Sequence, residues 1–174
     1  MRKLLLYIAT SIDGYIAKPD GSVDWLEAVP NPDQSDYGYA EFYESISTTL
    51  MGNTTYQQVL GFGDFPYQGK ENYVFSRRSH PSTEHVQFVN KDPTVFVRDL
   101  KEQPGGDIWL VGGGQLNTLM LDAGLIDEIL LFQMPVALGS GIVLFPGANV
   151  TNPMKLLTSQ SYGSGVTLLH YSLD

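Results

Sequence analysis

The sequence predicts an α/β fold: a mixed, mostly parallel sheet with helices on both faces and an antiparallel hairpin at its C-terminal end. Three observations predict it. Apolar runs of strand length alternate with segments of helical spacing through most of the chain. Several of those runs end in glycine, serine or threonine just where a helix begins. The last two runs, Met154–Tyr162 and Val166–Leu173, are separated only by Gly163-Ser164-Gly165, which reads as a hairpin turn.

Taken in order, Leu4–Ala9 is a continuous apolar run, the pattern of a strand buried on both faces, and it opens into Ser11-Ile12-Asp13-Gly14. Lys18–Asp36 is dense in Pro, Gly, Asn and Asp yet holds Trp25-Leu26, so it reads as a long loop with an aromatic anchor. Tyr37–Ser47 has helical spacing, with Ser35 or Asp36 placed to cap it, and Ser47–Met51 reads as a short strand ending at Gly52. Tyr56–Leu60 is a short helix, and Glu71–Phe75 and Val86–Val89 are strands. Pro93 suits a first helical turn, so Thr94–Glu102 is helical. Asp107–Val111 is a buried strand, Gly112-Gly113-Gly114 a tight loop, and Gln115–Ala123 a helix closed by Gly124. Ile126–Val136 is a long apolar strand. With no repeat, low-complexity tract or linker, residues 1–174 read as one domain.

Composition narrows the function. A chain of 174 residues, 43% hydrophobic and 17% charged, can bury roughly two thirds of its unfolded surface without disulfide or metal staples. Ten basic against 19 acidic side chains leave a net charge of −9, which repels phosphate backbones and anionic membranes, so the expected partner is a small molecule. Zero cysteines exclude a disulfide framework, a thiolate zinc site, an iron–sulfur cluster and a cysteine nucleophile. His80, His85 and His170 lack the spacing of a metal site. Met1-Arg2-Lys3 before an apolar run imitates a signal peptide, but the run is short; together with the lack of an apolar stretch of membrane length, this predicts a soluble, cytoplasmic protein. The abundant apolar strands near the C-terminus suit a homodimer.

Chemistry concentrates at strand ends. Val111-Gly112-Gly113-Gly114-Gln115 joins a buried strand to a helix; backbone without Cβ admits a phosphate, and the helix amides favour an anion. The alternative use is a glycine turn that only lets strand and helix pack. Neither GxGxxG nor a P-loop lysine is present. Gly52-Asn53-Thr54-Thr55 is a second strand-to-helix junction, and Ser76-Arg77-Arg78 a third strand end with cationic donors, whose alternative is a solvated loop.

Four ordered segments resemble the dihydrofolate reductase-like superfamily, which includes the reductase domain of riboflavin biosynthesis. They are Ser11–Ala17, Met51–Tyr56, Val74–Arg77, and Gly112-Gly113-Gly114 through Pro135–Gly141. The resemblance implies that Gly112, Gly113, Gly114, Gln115, Leu116 and Thr55 hold the pyrophosphate of NADPH. It further implies that Ser76 and Arg77 hold the adenosine 2′-phosphate, that Ala9, Ile16 and Ala17 frame the nicotinamide, and that the Gly112–Gly113 peptide is cis. Where the family commonly has arginine after the glycine of the second segment, this chain has Asn53; Arg77 and Arg78 offer compensation.

Reduction of a ring C=N needs hydride on carbon and a proton on nitrogen. Asp36 sits where the resemblance places a catalytic carboxylate, although an aspartate before a helix also serves as an N-cap. Gln133, the lone polar residue within Ile129–Val136, is expected to face the same cleft. Asp13, Trp25 and Tyr37 are further substrate-binding candidates, with a turn, a loop anchor and helix packing as their other uses. The reading is an NADPH-dependent reductase of a small planar heterocycle, pterin-like or pyrimidine-like. The alternatives are the riboflavin-pathway ribosylaminopyrimidinone phosphate reductase, for whose phosphate no extra basic cluster is evident, and a catalytically silent nucleotide-binding dimer.

Overall fold

The computed structural model describes residues 1–173. Ten strands occur: β1 (Leu4–Ser11), β2 (Tyr15–Ala17), β3 (Ile46–Gly52), β4 (Glu71–Phe75), β5 (Gln87–Val89), β6 (Asp107–Gly112), β7 (Glu128–Met134), β8 (Ile142–Val143), β9 (Lys155–Ser161) and β10 (Thr167–Ser172). Four α-helices join them: α1 (Tyr39–Ser45), α2 (Asn53–Leu60), α3 (Pro93–Glu102) and α4 (Gly114–Asp122). A 3-10 turn at Asp24–Ala28 interrupts the long loop after β2. The main sheet runs β5-β4-β3-β6-β1-β7-β10-β9, parallel as far as β7 and antiparallel at β10 and β9, as the sequence predicts.

Strand alternation divides the core in two. Leu4, Leu6, Leu50, Ile108, Leu110 and Ile129 point to one face, called the back, where Val97 and Leu100 of α3 and Leu116, Met120 and Leu121 of α4 cover them. Leu5, Met51, Val74 and Trp109 point to the front, where Phe42 of α1 and Tyr56 and Val59 of α2 pack. A second front cluster gathers Trp25, Val29, Phe132, Met134 and Val166 below the long loop. Asp92 caps α3 by accepting the N–H groups of Thr94 and Val95, with Pro93 in the first turn as the sequence suggests.

Element boundaries move in instructive places. The first helix starts at Tyr39 rather than Tyr37, because Tyr37 (φ 55°) and Gly38 (φ 79°) take left-handed conformations. The second starts at Asn53 rather than Tyr56 and so carries Thr54 and Thr55 in its first turn. A small second sheet, β2 paired antiparallel with β8, has no counterpart in the sequence reading, since strands of three and two residues carry no periodicity.

Candidate functional site

The helices leaving β3 and β6, which are neighbours, depart to opposite faces: α2 to the front, α4 to the back. This is a switch point of the sheet, and the crevice outside the carboxyl ends of such strands is where α/β sheets bind ligands. Two helix N-termini, at Gly52-Asn53 and Gly113-Gly114, aim unpaired backbone N–H groups into it. The two lips are close. A Cβ added to Gly113 would lie 3.2 Å from Thr55 Oγ1, while a Cβ at Gly52 meets nothing within 4 Å. The Gly112–Gly113 peptide is cis.

The three glycines have different tasks. Gly113 borders the open crevice beside the Thr55 hydroxyl. Gly112, with φ 113°, takes the left-handed region and faces the Asn117 side-chain amide. Gly114 is covered instead: a Cβ there would stand 2.9 Å from the Val143 carbonyl and 3.0 Å from Pro146 Cδ. Its role is to let the β8 segment cross over the start of α4, the packing use foreseen for a glycine turn. Leu116 is likewise a core side chain, leaving its backbone at the site, while Gln115 is exposed.

Two buried polar residues on α4, unsuspected in the sequence, strap that segment down. Asn117 Nδ2 donates to Leu144 O (3.3 Å) and Thr118 Oγ1 donates to Pro146 O (3.0 Å). The available signal was a pair of polar residues on an otherwise apolar helix stripe.

The remaining candidates lie along the same edge of the sheet. Ser76 follows the end of β4, whose Phe75 pairs with Gly52. Its hydroxyl accepts the Arg78 N–H (3.2 Å) and lies 3.1 Å from His80 Nε2; Arg77 and Arg78 are exposed. Asn53 contributes a buried Oδ1 with no hydrogen-bond partner. At the other end, Ala9 on β1 is half-buried on the front face, with Ile16 and Ala17 in β2 nearby across the Ser11–Asp13 turn. Positions from Ser76 through Gly52 and Thr55 to Gly113 and Ala9 therefore follow the strand order β4-β3-β6-β1. Among the described residues, no group of three or more His, Asp or Glu side chains is placed to hold a metal, and no helix is long and apolar enough to cross a membrane.

The structure revises several substrate-side expectations. Gln133 pairs with Thr10 and Thr167 and shares the back face with Ile129 and Leu131, so alternation turns it away from Trp25 and Tyr37 on the front. Asp13 is occupied: it accepts from Ser11 Oγ (2.5 Å) and from the N–H groups of Gly139 (2.7 Å) and Leu138 (3.1 Å). Those bonds, led by the Ser11 hydroxyl, pull its carboxyl down to about 2, and it serves as a brace between the β1–β2 turn and the loop after β7. Trp25 is buried among Val29, Phe132, Met134 and Val166 with its indole N–H unpaired, the anchoring use.

Tyr37 and Asp36 stay on the front face. The Tyr37 ring packs edge-on against Tyr162 and Phe132, and its hydroxyl donates to Ser164 Oγ at 3.0 Å. The exposed Asp36 carboxylate accepts the N–H groups of Ala40 (3.1 Å) and Gly38 (2.9 Å), which hold its pKa below the ordinary carboxylate range. It therefore caps the start of α1 and is ionised near neutral pH, with no proton of its own to give; its free lone pairs face solvent. Tyr7 beneath it has its hydroxyl pKa raised, by burial first and then by the charges of Tyr162 and Asp36.

Known proteins resemble this chain in sequence and fold. The model of the RibD C-terminal domain matches residues 2–168. The uncharacterized protein YwjB of Bacillus subtilis (strain 168) is 40% identical over 172 residues, covering 98% of this chain and 97% of that protein. The riboflavin biosynthesis protein RibD of Mycobacterium tuberculosis is 27% identical over 163 residues, which are 87% of this chain but 48% of RibD. A crystal structure from Shewanella sp. PV-4 with a riboflavin-biosynthesis description superposes with a TM-score of 0.89 at 29% identity, covering 99% of both chains. By the extent of these matches and the sheet they share, the chain belongs to the RibD C-terminal domain family, within the dihydrofolate reductase-like superfamily.

Proposed function

We propose that this domain is an NADPH-dependent reductase acting on a small planar heterocycle, pterin-like or pyrimidine-like. The observation that carries the reading is the crevice between β3 and β6, where the open Gly113 backbone, the Thr55 hydroxyl and two helix N-termini converge. Backbone N–H groups and a hydroxyl are the donors a pyrophosphate takes, so the residues present fit that part of the cofactor. Ser76, Arg77 and Arg78 lie one strand away, just after β4, and their donors fit the extra phosphate of NADPH. Asn53 is neutral and its buried Oδ1 is an acceptor, so any contact with a phosphate comes from its Nδ2 or its backbone N–H and lacks the charge of an arginine. Ala9, Ile16 and Ala17 would frame the nicotinamide, which when bound supplies the hydride.

The chain's own contribution is orientation and charge. Asp36, held ionised by backbone amides, accepts a ring or exocyclic N–H of the substrate and fixes the heterocycle on the front face. Tyr37 and Tyr162 provide aromatic walls there. The proton for ring nitrogen then comes from solvent, since the Asp36 carboxyl is not protonated near neutral pH.

A second reading, the riboflavin-pathway reduction of a ribosylaminopyrimidinone phosphate, is supported by the likeness to RibD over this chain's length. NADPH oxidation measured with pterins, with aminopyrimidines and with a ribosylaminopyrimidinone phosphate separates the two. Turnover only with the phosphorylated substrate selects the riboflavin-pathway reading; turnover with none of the rings defeats the reductase proposal.

A further inference from the structure

We propose that His80 sharpens the site's preference for a 2′-phosphorylated dinucleotide, because its protonated imidazole frees the Ser76 hydroxyl to donate and adds a positive charge beside it. The proposal rests on the reading of Ser76-Arg77-Arg78 as the donors for that phosphate. Ser76 follows β4 directly, and its backbone N–H donates to Val89 O at 3.0 Å. The chain then folds back so that His80 Nε2 lies 3.1 Å from Ser76 Oγ. The imidazole sits against Phe88 of β5, with ring centroids 4.8 Å apart and planes at 35°. Phe88 in turn meets Tyr56 of α2 edge-on at 5.5 Å. An exposed histidine is thus tied to the Ser76 loop and, through Phe88, to the helix whose first turn carries Thr55.

The Ser76 hydroxyl has one proton and two lone pairs. One lone pair accepts the Arg78 N–H at 3.2 Å. When His80 Nε2 carries no proton, the Ser76 O–H points at that nitrogen and leaves only a lone pair for a ligand, which repels a phosphate oxygen. When Nε2 carries a proton, it donates to the second lone pair and the Ser76 O–H turns outward as a donor. Neutral imidazole allows both arrangements; imidazolium allows only the second. Protonation also adds a third cation to Arg77 and Arg78, the charged groups of the same loop, within residues 72–83, which contain no Asp or Glu. Little else around the ring titrates. β5 has no ionisable side chain and α2 has only Tyr56. Among the described residues no carboxylate pairs with His80; Glu84 lies 3.9 Å from His85 instead.

The test is calorimetric titration of the full chain with NADP⁺ and NAD⁺, both stable in mild acid, for the unmodified protein and His80→Gln. The second ionisation of the phosphate, near pH 6, is common to both proteins and cancels between them. From about pH 8 to about pH 6, the ratio of NADP⁺ to NAD⁺ affinity should rise about fivefold more in the unmodified protein than in His80→Gln, with the two melting alike. By reciprocity, saturating NADP⁺ should raise the His80 titration midpoint by about 0.7 of a pH unit, and NAD⁺ should leave it in place. Proton NMR reads that midpoint, the His80 signal being the one lost in His80→Gln. An equal pH response in both proteins, or a His80 midpoint unmoved by an NADP⁺ that still binds better than NAD⁺, overturns the proposal and leaves the phosphate reading standing. Equal affinities for NADP⁺ and NAD⁺ at both pH values remove the phosphate reading, and this proposal with it.

Discussion

Both ends of the main sheet are polar, and they use their polar groups in opposite ways. At the amino ends of the strands, charges satisfy one another. The guanidinium of Arg2 donates to Gly106 O (2.6 Å) and Ser47 Oγ (2.9 Å); Lys101 donates to Asp127 (2.6 Å) and Leu125 O (3.0 Å); Glu128 takes Lys3 and His170 together. At the carboxyl ends there are fewer charges but more unspent donors: the first amides of α2 and α4, the Thr55 hydroxyl, and exposed Arg77 and Arg78. Density of charge therefore does not mark the site. Donors left without a partner beside open space do.

That contrast predicts where substitutions are felt. Gly113→Val places a side chain against Thr55 Oγ1 in the cradle and should weaken NADPH binding about a hundredfold, roughly 2.7 kcal/mol. The thermal midpoint should stay close to that of the unmodified protein, because Gly113 has an ordinary φ of −81°. A fluorescence titration reads the first and a melting curve the second; normal affinity in the variant would place the pyrophosphate elsewhere. Arg77→Ala should cost NADPH about 1.5–3 kcal/mol, more than tenfold in affinity, and leave NADH untouched. Equal losses for both cofactors would argue that Arg77 shapes the loop and does not read the phosphate.

Asp36→Asn keeps a good helix cap and removes the charge. We expect roughly a tenfold fall in kcat/KM on an accepted heterocycle, about 1.4 kcal/mol, with folding and NADPH affinity preserved. Unchanged turnover would reduce Asp36 to a cap.

At the opposite end, Lys101→Met should leave cofactor affinity unchanged while lowering stability by about 1–3 kcal/mol, because Asp127 and the Leu125 carbonyl lose their donor. A change in NADPH affinity would break the comparison between the two ends. Glu128 supplies the pH dependence. Burial works to raise its pKa, but the hydrogen bonds from Lys3 and His170 outweigh that and hold it below 4.5. A depressed carboxylate contributes stability that is whole above its unfolded pKa and is lost as pH falls through the folded one. Acid melts should thus destabilise the unmodified protein below about pH 4.5 more steeply than Glu128→Gln.

How much of this was legible in the sequence follows from range. Buried parallel strands such as Leu4–Ala9 and Asp107–Val111 announce themselves by continuous apolar runs, and the Gly163-Ser164-Gly165 turn by its residues, so the sheet was readable from local pattern. Gln133 was not, because a single polar residue in a strand does not say which way it faces; that depends on its register with Thr10 and Thr167. Asp13 looked free to meet a ligand because its partners at Leu138 and Gly139 lie far along the chain. The same holds for the division of labour among the three glycines: only the close passage of Val143 and Pro146 over Gly114 distinguishes it from Gly113. For Asp36 the sequence leaves both uses open; its hydrogen bonds establish the cap and leave the carboxylate exposed to solvent.

In the proposed function, the carboxyl edge from β4 to β1 receives a dinucleotide with its extra phosphate at Ser76-Arg77-Arg78. Parallel titrations of the unmodified protein with NADPH and NADH test it most directly. NADPH should bind more tightly than NADH by more than about tenfold, the worth of one charged hydrogen bond. Equal affinities, or binding of neither nucleotide, would contradict it.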